Sequence, residues 1–274
     1  MNLIVVKIGG KLISQAQEVS KVLDDIAALY KENKIILVHG GGPQINDLLN
    51  RLGKSPIMVK SPSGMTSRFT DKETLDVAEM VMGGKINKDL VALLQNRGVD
   101  AVGISGIDGA TVKAKKKDKL MTIDEKTGKK RVLHGDYSGK IEKVDIKLLQ
   151  LLLENNYVPV ISALAISENN EPLNVDGDRS ALNISSAFKA DKLILLTDVE
   201  GIILDNEVIK KVGREEIDNL MQKVKGGMRK KLFAAKEALN KGLKEIIIAS
   251  GLIEKPISSA LSGKTGTAIS WKYF

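Results

Sequence analysis

Two glycine stretches, each closing a β-branched run, carry the residue types best suited to chemistry: VKIGGK (6–11) and LVHGGGP (38–43), each opening a helical pattern. Glycine leaves backbone N–H groups open to a close-lying anion, and a helix N-terminus adds a favourable dipole. Gly9, Gly10, Gly41 and Gly42 would thus flank one phosphoryl group from two sides, although either loop alone describes a tight strand–helix turn equally well. Lys7 stands just before the first glycine pair, within reach of the same anion; a solvated strand-end lysine has the same local sequence. Neither loop has the dinucleotide G-x-G-x-x-G spacing, and GKTGT (263–267) is not a Walker A loop, since Ser258 stands where its first glycine is required and no helix pattern follows.

A second lysine lies in GGMRKKLFAAKEAL (226–239), where Met228, Leu232, Ala235 and Leu239 form an apolar stripe at helical spacing. At 100° per residue Lys231 falls about 60° from the centre of that stripe, whereas Lys230 lies on the far side. The segment LNVDGDRSALN (173–183) sets Asn174, Asp176 and Asp178 at a helix opening; capping explains acidic and amide residues there, and Asp178 is also placed to orient two converging lysines. It is not a calcium loop, because Arg179 and Ser185 occupy the positions that need Gly and Glu. Arg68, in SGMTSRFTDKET (63–74), offers a planar fork for a carboxylate ahead of a helix capped by Thr70 or Asp71. Thr197 and Asp198 end the run LLTD (195–198), where α/β sheets bind ligands.

The elements that must position these residues alternate. Strand patterns at 3–8, 34–40 and 100–105 are separated by helical patterns near 12–31, 43–52 and 71–97. A second series has a helix near 145–155, strands at 158–164, 192–198 and 245–250, helices after Asp176 and Gly227, and a last short strand near 267–271. Continuous apolar strands of this kind are buried on both faces of an α/β fold. The two series divide the chain into lobes, 1–172 and 173–274, of one continuous sheet. Between the series, 110–143 lacks helical periodicity and carries a turn at KTGKK (126–130), which predicts a hairpin.

Composition narrows the function. The 274 residues have 43% hydrophobic and 28% charged side chains, which is globular, and no run of eighteen apolar residues or signal-peptide layout, so a cytoplasmic protein without membrane attachment is expected. With no cysteine and two histidines, His39 and His134, thiolate and histidine-rich metal centres are excluded, and no protein metal ligands are assigned. The net charge of +8 points to an anionic partner, and Lys113 to Arg131 alone holds nine basic against three acidic residues. The nine aromatics do not cluster in that run, which speaks against nucleic acid.

In this order KIGG, HGGGP, SRFTD, GISGIDG (103–109), NVDGD, LLTDVEGI (195–202) and GGMRKK resemble the amino acid kinase family over nearly the whole chain. GISGIDG is similar to the acetylglutamate kinase branch, and TSRFTD to its members that phosphorylate 2-aminoadipate or glutamate attached to an acidic amino-group carrier protein in lysine and arginine biosynthesis. The resemblance implies a three-layer αβα sandwich with a mostly parallel open sheet, of the carbamate-kinase type. It also implies an N-terminal acyl-substrate lobe, a C-terminal nucleotide lobe, ATP with Mg²⁺, and a homodimer. By motif, Lys7 and Lys231 match transition-state stabilisers organised by Asp178. Gly9, Gly10 and Gly41 match phosphoryl donors; Gly41, Gly42, Arg68 and Asn174 match substrate contacts; Thr197 and Asp198 match the nucleotide side. An acidic carrier gives the basic hairpin a use, with Lys115, Lys116, Lys117, Lys129, Lys130 and Arg131 as its expected docking residues. A kinase of free N-acetylglutamate and a basic nucleic-acid-binding α/β protein are the alternatives.

Overall fold

The run LIVVKI forms the strand Leu3–Ile8 in a computed structural model of the chain, which describes residues 1–62, 64, 66–117, 119–123, 129–224 and 226–271. It sits inside an eight-stranded sheet. On one side it pairs in parallel with Lys34–His39, followed by Val158–Ser162 and Ala101–Ser105; on the other it pairs with Lys192–Thr197, followed by Glu245–Ser250. Thr267–Ser270 joins Glu245–Ser250 antiparallel, and Lys211–Gly213 ends that edge. Leu3–Ile8 is thus where the two halves of the chain meet, the kind of switch point that opens a crevice at the carboxyl ends of strands.

Alternation decides which way each residue of this strand faces. Ile4, Val6 and Ile8 enter one core with Val22, Leu23 and Ile26 of the helix Ala16–Leu29. Val5 enters the other, with Leu182 and Ile184 of the helix Gly177–Phe188 and Leu232, Ala235 and Leu239 of the helix Gly226–Asn240. Helices therefore cover both faces, giving a three-layer αβα sandwich. Lys7 shares the face of Val5, so the period of two aims it at the second pair of helices.

Several elements depart from the simple periodic pattern. The expected helix over 71–97 runs as Lys72–Ala78, a π-helical stretch Glu79–Ile86 and Asn87–Gln95, the widened turns coinciding with Gly83 and Gly84. The expected helix near 12–31 is interrupted into Gly10–Ile13 and Ala16–Leu29. The short pair Ile202–Leu204 and Glu207–Ile209, and the helices Ile217–Lys223 and Pro256–Leu261, have too few residues for a periodic signal.

The basic segment is two nested hairpins. Val112–Lys116 pairs antiparallel with Gly139–Val144 at the base, and Lys119–Ile123 with Lys130–His134 further out. The first three residues of the expected KTGKK turn, 126–128, lie outside the described residues. Among the described residues no helix is long and apolar enough to cross a membrane.

His39 ends its strand fully buried, with Nδ1 3.0 Å from the Gly40 carbonyl and Nε2 3.2 Å from the Asn87 amide. Burial pushes its pKa down to about 4 from 6.5; Lys7 adds to this, and the contact with Gly40 opposes it. Between those pH values the unfolded chain binds a proton that the folded chain refuses. Stability is therefore complete above pH 6.5 and declines by about 3 kcal/mol as the pH falls to 4. Urea titrations at neutral and acid pH should show this loss in the natural chain and a distinctly smaller one in His39→Asn.

Candidate functional site

At the carboxyl end of Leu3–Ile8 one carboxylate holds two ammonium groups. Asp176 caps the helix Gly177–Phe188 by accepting from the Arg179 N–H at 3.0 Å, which starts the helix and places Asp178 in its first turn. Asp178 Oδ1 lies 2.6 Å from Lys7 Nζ, and its Oδ2 accepts from Lys231 Nζ at 2.6 Å. The three side chains are 9%, 14% and 13% exposed for Lys7, Asp178 and Lys231, so the group is largely out of water. Burial by itself would raise the Asp178 pKa, but Lys7 and Lys231 outweigh it and hold the carboxyl well below the usual carboxylate range. Burial lowers Lys231, and Lys7 lowers it further against the attraction of Asp178. Two cations sharing one anion leave one positive charge for a ligand.

The glycine turns meet beside this trio. A Cβ on Gly10 would stand 2.6 Å from Pro43 Cδ, and one on Gly41 would stand 2.7 Å from Ile86 Cδ1 and 2.8 Å from Met82 Cγ. Here glycine is required by close approach. The Gln44 amide donates to the Gly10 carbonyl at 3.0 Å and ties the turns together. Among the described residues the N–H groups of Gly9 and Gly41 have no protein acceptor, so they remain available to an anion.

On one side of the trio, Arg68 donates through Nη2 to the Gly42 carbonyl at 2.8 Å, while its buried Nη1 has no partner among the described residues. Burial lowers the Arg68 pKa. The Asn174 amide donates to Thr70 Oγ1 at 3.2 Å, and Thr70 is itself pinned by its N–H to Asp136 Oδ1 at 3.0 Å and by the Tyr137 N–H to its carbonyl at 2.6 Å. Arg68 and Asn174 line a cleft of about 420 Å³. Asp71 is the helix cap, accepting from Thr74 N–H at 2.9 Å, which leaves Thr70 to this network.

On the other side, Thr197 and Asp198 end their strand, where Asp198 takes Lys11 at 3.0 Å and is lowered by that bond. Beyond them Ser250, Thr265 and Gly266 line a smaller hollow of about 150 Å³. The structure thus adds Lys11, Thr70, Asp136 and Ser250 to the residues expected from sequence. Lys11 was legible inside VKIGGK; Asp136 has no local signature, because its role depends on a strap 66 residues away in sequence.

The hairpin residues divide. Lys115, Lys117, Lys129, Lys130 and Arg131 are solvent-exposed. Lys116 is engaged within the hairpin base, 3.0 Å from Glu171 and 3.6 Å from the centre of the Tyr137 ring. Lys117 lines the same cleft as Arg68.

The sequence pattern defining the amino acid kinase family matches residues 2–250. The chain belongs to the amino acid kinase family. Among relatives of this amino acid kinase, a LysW-aminoadipate/LysW-glutamate kinase of Metallosphaera sedula is 44% identical over 98% of this chain and 100% of that protein. A putative LysW-aminoadipate/LysW-glutamate kinase of Nitrosopumilus maritimus is 41% identical over 97% and 99%. In fold it is similar to carbamate kinase from Giardia lamblia bound to AMP-PNP, with TM-score 0.71, 19% identity and 98% of each chain covered. N-acetylglutamate synthase from Neisseria gonorrhoeae superposes with TM-score 0.81 at 22% identity, over 100% of this chain but 60% of that one.

Removing the central carboxylate should leave two buried like charges facing each other. Asp178→Ala is expected to lose about 3–5 kcal/mol in urea unfolding at neutral pH. A loss under 1 kcal/mol would show that the two ammonium groups do not depend on it.

Proposed function

We propose that this amino acid kinase transfers the γ-phosphoryl group of ATP to the side-chain carboxylate of 2-aminoadipate or glutamate joined to a small acidic carrier protein. The observation that carries this reading is the net-positive Lys7–Asp178–Lys231 group between an arginine-bearing cleft and the Thr197–Asp198 strand end. Relatives of 41–44% identity named for that reaction support the substrate. In this assignment residues 173–274 hold the nucleotide, and the acyl substrate lies in the cleft that both lobes line, with Arg68 from residues 1–172 and Asn174 from 173–274.

The acceptor needs no base, because a carboxylate with a pKa of roughly 4 is already ionised at neutral pH. Its oxygen forms a bond to the γ-phosphorus as the bond to the β,γ-bridging oxygen breaks, giving an acyl phosphate and ADP. Negative charge spreads over the equatorial oxygens during transfer, and Lys7, Lys231 and the Gly9 and Gly41 N–H groups are placed to neutralise it. Asp178 keeps both ammonium groups aimed without itself accepting a proton. Arg68 Nη1 and Asn174 hold the substrate's other polar groups. Mg²⁺ bound with the nucleotide would supply further screening of the phosphate charge.

The exposed lysines and arginine of the hairpin suit electrostatic capture of the acidic carrier, with Lys116 acting as a strut rather than a contact. A homodimer fits a groove of about 740 Å³ flanked by Met80, 61% exposed, and Leu93, 41% exposed, both on the long interrupted helix. A cytoplasmic reaction is in keeping with this reading.

The direct test is acyl-phosphate formation, trapped as hydroxamate, with carrier-linked aminoadipate and glutamate beside the free N-acetylated acids. Turnover should require the carrier; equal turnover of N-acetylglutamate would replace this reading by that of a free-substrate kinase. Lys231→Met should lower kcat about 10²–10³-fold. Since Lys231 is lowered from 10.5, the alkaline limb of the rate should set in below that pH. Charge reversal at Lys115 and Lys130 should raise the KM for linked substrate and flatten its rise with salt, with ATP affinity unaltered.

A further inference from the structure

The cleft that holds Arg68 carries more positive charge than one acyl substrate needs. Lys117 reaches it from the end of the strand Val112–Lys116, Arg179 from the first turn of the helix Gly177–Phe188, and Lys230 from the first turns of the helix Gly226–Asn240. Asp176 is the one carboxylate among the described residues that line the cleft with them. Arg179 stacks over the Phe233 ring at 5.3 Å and forms an ion pair at 3.4 Å with Glu237, which is not among the cleft's lining residues. Lys230 rests against the Thr66 carbonyl across the cleft. The Lys117 ammonium has no hydrogen-bond partner among the described residues. Lys117 is solvent-exposed at the cleft rim; partial desolvation of its ammonium lowers its pKa, and Arg179 and Lys230 lower it further against the pull of Asp136 and Asp176. With Arg68 the cleft thus gathers four cations against one carboxylate, an excess of like charge that a further anion would offset.

The other anions of the reaction already have places. The moving phosphoryl group faces Lys7 and Lys231, and a substrate carboxylate faces the unpartnered Arg68 Nη1. The three further cations lie with Arg68 and Asn174, and the cleft they line does not include Thr197 or Asp198. Met58, Leu120 and Phe233 give this part of the cleft apolar walls, which suits a polypeptide more than a triphosphate.

We propose that Lys117, Arg179 and Lys230 form a second anion subsite at the acyl cleft that takes a carboxylate of the polypeptide segment to which the acyl substrate is joined. This rests on the carrier-linked reading above and gives it a structural basis for selection: a free N-acylated amino acid has no group to place there, so the three cations add affinity only for the linked substrate. The subsite is separate from the outer face of the hairpin, where Lys115 and Lys130 act at longer range.

The test compares natural enzyme, Arg179→Gln, Lys117→Met and Lys117→Arg in steady-state assays with carrier-linked aminoadipate and with N-acetyl-2-aminoadipate. Each neutralising change should raise the KM for the linked substrate about tenfold, the size of one charge-assisted contact, with kcat and the KM for ATP within twofold of the natural values. Any turnover of the free acid should be equal in all four proteins, and Lys117→Arg should retain most of the natural KM. An unchanged KM for linked substrate, an equal loss with both substrates, or a loss falling on ATP would overturn the subsite. If the natural enzyme itself uses the free acid as well as the linked one, the carrier reading fails, a result distinguishable from failure of the subsite alone.

Discussion

Two ammonium groups sharing one buried carboxylate are the constraint on which this molecule depends. Lys7 and Lys231 are separated by most of the chain, and without Asp178 their repulsion in a largely water-excluded site would drive them apart. With it they are held in fixed directions yet are incompletely neutralised. The surrounding architecture follows from holding that arrangement: the period-two facing of Lys7 beside Val5, the capped start of the helix bearing Asp178, and the apolar stripe that packs the helix of Lys231 against the same core. The charge is thus preorganised before any ligand arrives, the condition under which electrostatic stabilisation of a transition state is most effective.

The second constraint is steric. The glycine turns approach so closely that side chains at Gly10 and Gly41 would collide with Pro43, Ile86 and Met82. Their proximity brings N–H groups from two strand ends towards one point. The π-helical stretch contributes directly, since Met82 and Ile86, which limit the space at Gly41, lie within it. A buried polar network centred on Asp136 and Thr70 then joins the strap of Arg68 to Asn174 and to the base of the basic hairpin, where the Lys117 N–H donates to the Ser138 carbonyl at 2.9 Å. The Arg68–Asn174 side of the cleft and the hairpin are therefore built on one hydrogen-bonded frame.

Where chemistry is expressed over a few neighbouring residues, the chain was readable. Strands at 3–8, 192–197 and 245–250, the glycine turns and the inward bias of Lys231 follow from short periods of two and 3.6. The short pair at 202–209 and the helix Pro256–Leu261 were not, because six or fewer residues per element carry no periodic signal. The uniform basic run was readable as charge but not as geometry: Lys116 packs on Tyr137 and Glu171 while its neighbour Lys117 lines the cleft.

By itself the sequence determined the α/β alternation, the glycine turns and the list of candidate cations, since these depend on backbone freedom, side-chain charge and local periodicity. Only the tertiary structure decided the distances at which Asp178 joins Lys7 to Lys231, that Asp71 rather than Thr70 caps its helix, and which basic residues of the hairpin are engaged with the rest of the fold. Those choices depend on contacts between segments remote in the chain, whose energies are set by burial and mutual distance, and neither quantity is a property of any short stretch of residues.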